Sequence, residues 1–84
     1  MEIEIYRNKP AGARCNQLVE NVLTAIVDSI DELEKELTVK ILYVKQGIKA
    51  PAIKVNGKVL GEDLSMESIV NDFSPEKIAE IIKN

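Results

Sequence analysis

The stretch Ala50–Gly61, with the sequence APAIKVNGKVLG, is the part of the sequence that indicates the fold most strongly. Ile53 and Val55 alternate with Lys54, which is the period-two pattern of a strand with one buried face. Asn56-Gly57 follows, and these two residues tolerate the positive φ angles that a two-residue type I′ turn requires. The stretch therefore predicts a tight β-hairpin.

Both strands of this hairpin can be placed from their residue types. Val59 and Leu60 supply the return strand after the turn. Pro51 has no backbone N–H and stands at the first position of the opening strand, where a proline disturbs the ladder least. We therefore expect two antiparallel strands, with the first entered through a proline.

Composition indicates one small globular domain over residues 1–84, with 45% hydrophobic and 30% charged residues. A net charge of −3 argues against nucleic acid as a partner, because phosphate contacts need a basic stripe. One cysteine cannot form an internal disulfide, and the absence of histidine removes the commonest metal ligand, so we expect no metal site and no cofactor. No apolar run approaches the ~18 residues of a membrane span, and no targeting segment is recognisable, so we expect a cytoplasmic protein without a membrane partner.

The residues before the hairpin predict a βαβ unit. Glu2–Tyr6 alternates as a strand, and from about Ala13 apolar residues recur every three or four positions, as in an amphipathic helix. We expect this helix to continue to Val27 or beyond, as far as Glu36. Val39–Val44 is almost continuously apolar, which is typical of an interior parallel strand covered on both faces. A right-handed crossover would make the first two strands parallel.

Helices are predicted after the hairpin, and turn signals separate the elements. Ser65 can cap a short helix that ends near Phe73, and Ser74-Pro75-Glu76 supplies an N-cap, a proline at the first helical position and a favourable acid. Gln46-Gly47 predicts a turn. Ser29 begins a capping-box pattern that could restart a helix there, and this alternative stays open. The whole order predicts an α/β sandwich, with helices packed on a mixed four-stranded sheet in β-α-β-β-β-α order.

This order resembles the thioredoxin-like fold, and in particular the small archaeal and bacterial thioredoxins and glutaredoxin-like proteins. Ile3–Tyr6, a loop, and then Gly12–Leu18 stand where the family has a strand followed by Cys-x-x-Cys and x-x-Leu. Ala50–Ile53 stands where the family has its cis-proline strand, and Val55–Gly61 resembles the turn that follows it. The family usually has a helix between its second strand and that proline, where this chain has only residues 45–50.

The resemblance implies an incomplete redox motif. Gly12 stands in the place of the nucleophilic cysteine, and Cys15 in the place of the resolving one. A dithiol cycle needs both thiols, because one attacks and the other resolves the mixed disulfide. The resemblance therefore implies either a binding module or a remnant monothiol redox protein.

Cys15 is the candidate catalytic residue, and it has two interpretations. Near a helix N-terminus and beside Arg14, its thiolate could be stabilised by backbone donors and a guanidinium, so that it exchanges with glutathione or with a protein or peptide thiol. Alternatively, Cys15 is a small apolar residue packed under the first helical turn, as free cysteines often are. We favour the second interpretation.

A partner-binding groove is also implied. Pro51 is a candidate cis proline, which in the family leaves the backbone of the preceding residue facing a bound extended peptide. The predicted groove consists of Tyr6, Gly12, Arg14, Cys15, Ala50 and Pro51.

Two groups of charged residues and one apolar surface are further candidates for binding. An anion could use Arg7, Lys9 and Arg14 together with the helix N-terminus, although a solvated polar loop is the simpler interpretation. The acids between Glu20 and Glu36 lack the Asp-rich loop of a calcium site, so a solvated helical face is expected. A homodimer is plausible if the first helix presents spare apolar surface.

Overall fold

The computed structural model describes residues 1–44 and 47–84, which form four strands and three helices. The strands are β1 (Glu2–Arg7), β2 (Thr38–Tyr43), β3 (Ala52–Val55) and β4 (Lys58–Gly61). The helices are α1 (Ala13–Ser29), α2 (Met66–Asn71) and α3 (Pro75–Lys83), and a 3₁₀ turn, Ile30–Glu32, follows α1. The α/β class and the mixed four-stranded sheet are confirmed, but the described chain ends in two separate helices.

The strands lie in the order β2-β1-β3-β4. β1 is parallel to β2, as predicted, and β3 is antiparallel to both β1 and β4. The prediction that Val39–Val44 forms an interior strand is wrong, because β3 pairs with the other side of β1 and leaves β2 at the edge. Ile41 and Tyr43 are accordingly exposed.

The hairpin has the turn that the sequence predicts. Asn56 has φ of 51° and Gly57 has φ of 84°, the two positive angles of a type I′ turn. The Asn56 backbone N–H also donates to the Glu2 carbonyl at 2.8 Å, and the Asn56 Oδ1 accepts from the Glu2 N–H at 2.9 Å. The turn residue therefore also joins β3 to the beginning of β1.

Helix α1 begins at Ala13, as predicted, and ends at Ser29. Its predicted extension to Glu36 is wrong, because Leu33 is already extended (φ −82°, ψ 119°) on the path to β2. Within the described residues the buried Ser29 side chain makes no capping hydrogen bond, so the capping-box pattern yields only the 3₁₀ turn.

Both C-terminal helices start at their predicted caps. The Ser65 Oγ accepts from the Ser68 N–H at 3.1 Å, and the Ser74 Oγ accepts from the Lys77 N–H at 3.2 Å. Each bond satisfies one of the free N–H groups that every helix start exposes. The two caps explain why the segment forms α2 and α3 rather than one helix.

The segment between β2 and β3 is described only in part. The predicted turn at Gln46-Gly47 lies partly outside the described residues, although Gly47 itself has φ of 94°, which favours glycine. Residues 47–51 contain no helix, so the described part of this connection lacks the element that the resemblance would lead one to expect there.

The hydrophobic core lies on one face of the sheet. α1 packs against both α2 and α3 on the side of the sheet that carries Ile3 and Ile5. Alternation along β1 turns Glu4 and Tyr6 to the opposite face. No helix in the described ranges could cross a membrane, since none is both long and apolar enough. The core consists of Ile3, Ile5, Leu18, Val22, Ala25, Ile53, Leu64, Ile69, Phe73, Ile78 and Ile82.

Candidate functional site

The carboxyl end of β1 gathers most of the residues predicted for the site. A short loop leads from the end of β1 into α1, so the helix begins at this end of the sheet. Tyr6 pairs with Ala52 in the antiparallel ladder, which places the start of β3 beside the end of β1. Pro51 immediately precedes Ala52. The N-terminus of α1 and Pro51 therefore lie at the same end of the sheet.

Two hydrogen bonds join the start of α1 to Pro51 through a single residue. The Arg14 guanidinium donates to the Leu64 carbonyl at 2.9 Å, and the Leu64 N–H donates to the Pro51 carbonyl at 3.1 Å. A second bridge runs beside it, because the Asp63 N–H donates to the Lys49 carbonyl at 2.8 Å. The Asp63 carboxylate also lies 3.6 Å from the Arg14 guanidinium.

These bonds give the segment Asp63–Leu64 a role that the sequence pattern does not reveal. The stretch after β4 has the composition of an ordinary connector, and the bond from Arg14 spans fifty positions. Only the backbone angle of Asp63, with φ of 47°, marks the segment as unusual. The guanidinium is thus bound to this segment, where it holds the connector against the start of α1.

Gly12 and Cys15 lie in contrasting surroundings. Gly12 is exposed at the N-cap of α1, with extended backbone angles (φ −89°, ψ −175°), and a Cβ added there would meet no described atom within 4 Å. Cys15 is the third residue of α1 and only 2% exposed. The position at the N-cap of α1 is therefore open, whereas the thiol three residues further on is covered.

Among the described residues, no side chain caps the first turn of α1. Gly12 has no side chain to accept a hydrogen bond, and the turn itself carries no acidic residue. The first N–H groups of a helix have no partner within the helix. The backbone N–H groups of Ala13–Cys15 therefore have no hydrogen-bond partner among the described residues, and they lie beside the open position at Gly12.

Ala50 and Pro51 form the other side of this end of the sheet, and both are buried. The peptide bonds before Pro10 and Pro51 are cis. The carbonyls on either side of Ala50 accept from Asp63 and Leu64, but among the described residues neither backbone group of Ala50 has a hydrogen-bond partner. Ala50 thus carries a donor and an acceptor that the described neighbouring segments do not use.

The Tyr6 side chain lies on the sheet face opposite the helices. Its hydroxyl donates to the Glu4 carboxylate, and the Lys54 ammonium lies 5.6 Å from the centre of its ring. This hydrogen bond lowers the pKa of Glu4 and raises the pKa of Tyr6. The hydroxyl therefore points back along β1, and the structure does not bring it together with Cys15.

The three cations considered for an anion site bind different partners. Arg7 and Lys9 both lie over the ring of Tyr43 at the end of β2, at 5.5 and 5.2 Å from its centre. Arg14 is bound to Leu64 instead. The structure therefore does not assemble Arg7, Lys9 and Arg14 around one ligand.

The described residues contain no cluster of three or more His, Cys, Asp or Glu side chains that could hold a metal ion. The site at this end of the sheet consists instead of an open glycine, backbone donors and acceptors, and a covered thiol. Comparison of the chain with protein-family models, with curated proteins and with solved structures found no match.

Proposed function

We propose that this chain is a thioredoxin-like binding module, which holds an extended peptide segment between the start of α1 and Pro51 and does not turn over thiols. The observation that carries this proposal is the contrast between an open Gly12 and a Cys15 that is almost completely covered. An open position next to unused backbone groups suits binding, whereas thiol exchange requires an accessible sulfur.

The sheet supports the thioredoxin-like part of the proposal. A crossover helix joins two parallel strands, and a proline leads into an antiparallel strand on the other side of β1. This is the arrangement that the resemblance implies, although the described part of the β2–β3 connection has no helix. The chain has a single cysteine, so an intramolecular dithiol cycle has no second thiol.

Backbone chemistry supports the choice of an extended peptide as the ligand. A strand that adds to a sheet gains affinity from main-chain hydrogen bonds and specificity from side-chain pockets. Ala50 offers one backbone donor and one acceptor, and the uncapped first turn of α1 offers further donors. An extended peptide presents complementary groups along its length, so it can use both sides of the groove.

A bulky residue at Gly12 tests the proposal. Gly12→Phe should leave the fold intact, because the backbone angles suit any residue and a Cβ there has free space. Binders selected from a displayed library of random peptides provide the probe, and their affinity is measured by titration. We expect Gly12→Phe to weaken binding by at least about tenfold, and Cys15→Ala to leave it unchanged.

Lys58→Phe provides the matched control. Lys58 is exposed and pairs with Val55 at the far end of β3, so this variant presents the same aromatic side chain away from the groove. Equal affinities for Gly12→Phe and Lys58→Phe would contradict the proposed groove. A loss of binding in Cys15→Ala would show that the thiol takes part.

One observation favours the alternative function, a monothiol oxidoreductase that acts on glutathione or a partner thiol. Cys15 belongs to the uncapped first turn of α1, and helix N-termini are places where thiolates are stabilised. Alkylation by iodoacetamide, followed by mass spectrometry, separates the two functions. We expect native Cys15 to react more slowly than in denaturant, because it is covered; reaction faster than free cysteine at neutral pH would favour the oxidoreductase.

A further inference from the structure

We propose that two copies of this chain associate through β2, whose antiparallel pairing across a two-fold axis joins the two sheets into one. Three independent features support this association: an unblocked strand edge, an apolar surface beside it, and opposite charges at the two ends of the strand. The proposal concerns a different surface from the groove at Pro51, so each can fail without the other.

Residues 1–44 and 47–84 leave one edge of β2 unpaired. In the described part of the chain it is bonded to β1 alone, and the N–H groups of Thr38 and Val44 donate to carbonyls on the β1 side. By alternation, the backbone groups of Val39, Ile41 and Tyr43 point away from the sheet. Such a row of free donors and acceptors is a template for another strand.

β2 also has few of the features that usually protect an edge. It is six residues long, its register with β1 is regular, it contains no proline, and Lys40 is its one charged residue. The other edge strand, β4, has only four residues and an irregular register opposite Ile53 and Lys54. Short or bulged strands are protected against edge pairing, so β2 is the edge that remains open.

An apolar surface continues from this edge onto α1. Leu23, Val27 and Ile30 recur at helical spacing and are 46%, 70% and 60% exposed, and Ile41 on β2 is 45% exposed. A hollow of about 290 Å³ joins the two elements. Exposed apolar side chains beside an apolar hollow favour an interaction site. The hollow is lined by Ile26, Ile30, Leu33, Lys35, Leu37 and Val39.

The charges at the two ends of β2 favour a second copy over other partners. Residues 31–36, which precede the strand, carry four carboxylates and one lysine, and Lys83 neutralises only Glu32. At the other end, Arg7 and Lys9 lie over Tyr43. An antiparallel two-fold pairing brings each acidic end beside the basic end of the other copy. A uniformly basic or acidic partner would match only one of the two ends.

The same symmetry places the apolar surfaces together. The two-fold axis that relates antiparallel strands stands perpendicular to the sheet, so the helices of both copies lie on one face of the joined sheet. The exposed Leu23 and Val27 of α1 and the exposed Ile30 of the following 3₁₀ turn then lie on either side of the axis. The same two-fold arrangement therefore pairs the strand edges and brings the exposed apolar residues of both copies to one face of the joined sheet.

The backbone groups of β2 that point away from the sheet determine the register in which the two β2 strands pair. Pairing Ile41 with Ile41 of the second copy sets Val39 opposite Tyr43 and provides partners for all the outward backbone groups of the strand. Shifting the register to set Lys40 opposite Lys40 would bring like charges together, which is destabilising. Ile41 is therefore the residue nearest to the axis.

Sedimentation equilibrium tests the association. We expect wild-type protein to dimerise, and Ile41→Lys to raise the dimer dissociation constant by at least about tenfold. Val70→Lys is the matched control, because Val70 is an exposed β-branched residue like Ile41, on α2 and away from β2. Wild-type protein that sediments as a monomer up to about millimolar concentration would overturn the proposal, as would equal dissociation constants for the two variants.

A cross-linking experiment locates the interface without relying on a destabilising charge. In a Cys15→Ala background, Ile41→Cys should be joined into a covalent dimer by a short bismaleimide, because two copies of residue 41 face each other across the axis. Val70→Cys in the same background should associate like the wild type but give no covalent dimer with the same reagent. The reverse pattern would place the interface elsewhere and overturn the proposal.

Discussion

Asn21 is a buried polar residue on α1, and its amide connects this helix to the end of α2. Its Nδ2 donates to the Phe73 carbonyl at 3.0 Å and to the Ile69 carbonyl at 3.4 Å, while its Oδ1 accepts from the Gln17 side chain at 2.9 Å. We predict that Asn21→Ala lowers the free energy of unfolding, because these buried carbonyls lose their donor.

The expected magnitude follows from the bonds that are lost. A buried acceptor left without a partner costs about 1–3 kcal/mol, and the Phe73 carbonyl falls in this class. The 3.4 Å bond to Ile69 lies at the long end of the range and contributes less. We therefore expect a loss of about 2 kcal/mol in all. For a domain of this size that corresponds to a melting temperature lower by about 8–16 °C.

Urea denaturation followed by circular dichroism measures this loss. Asn16→Ala is the control, since Asn16 is exposed on the same helix and its replacement gives the same gain in helix propensity. We expect the control to change stability by no more than about 0.5 kcal/mol. If Asn21→Ala and Asn16→Ala agreed within that amount, the amide would not hold α2 to α1 as argued.

Three further predictions concern single contacts. Gly61→Val should destabilise the fold by about 1–3 kcal/mol in urea denaturation, because a Cβ there would lie 2.8 Å from the Leu64 Cδ2; an unchanged midpoint would contradict this packing. Tyr6→Phe should lower the free energy of unfolding near neutral pH. This difference from the wild type should shrink as the pH falls from 4.5 through the lowered pKa of Glu4, because the Glu4 carboxylate loses its charge there. A pH-independent difference between wild type and variant would show that the charge of Glu4 is irrelevant. Ser74→Ala should cost about 1 kcal/mol, since it removes the cap of α3, whereas Ser74→Asn should retain most of the stability.

Local features of the fold were predictable because they depend on residues within four positions of one another. The positive φ angles of Asn56-Gly57 and the caps at Ser65 and Ser74 are decided by those residues and their near neighbours. The end of α1 was harder to predict, because the apolar period continues past Ser29. The chain leaves the helix there to reach β2, and that requirement comes from the sheet.

The candidate site was predictable in part. The strand order brings the start of α1 and Pro51 to one end of the sheet, an arrangement that the resemblance to the thioredoxin-like fold implies. The pattern does not indicate that Arg14 binds the Leu64 carbonyl, or that the hydroxyl of Tyr6 is bound to Glu4 on the other face. Such contacts depend on side-chain directions that residue types alone do not specify.

By itself, the sequence determined the α/β class, the hairpin, the helix starts and the presence of a single cysteine, because each of these follows from short-range periodicity, turn chemistry or residue identity. Only the tertiary structure decided that β2 lies at an edge, that Cys15 is covered while Gly12 is open, and that Asp63–Leu64 joins α1 to Pro51. The physical reason is that pairing and burial are properties of segments far apart in the chain. An apolar strand such as β2 has the same sequence pattern whether a second strand covers its edge or leaves it free.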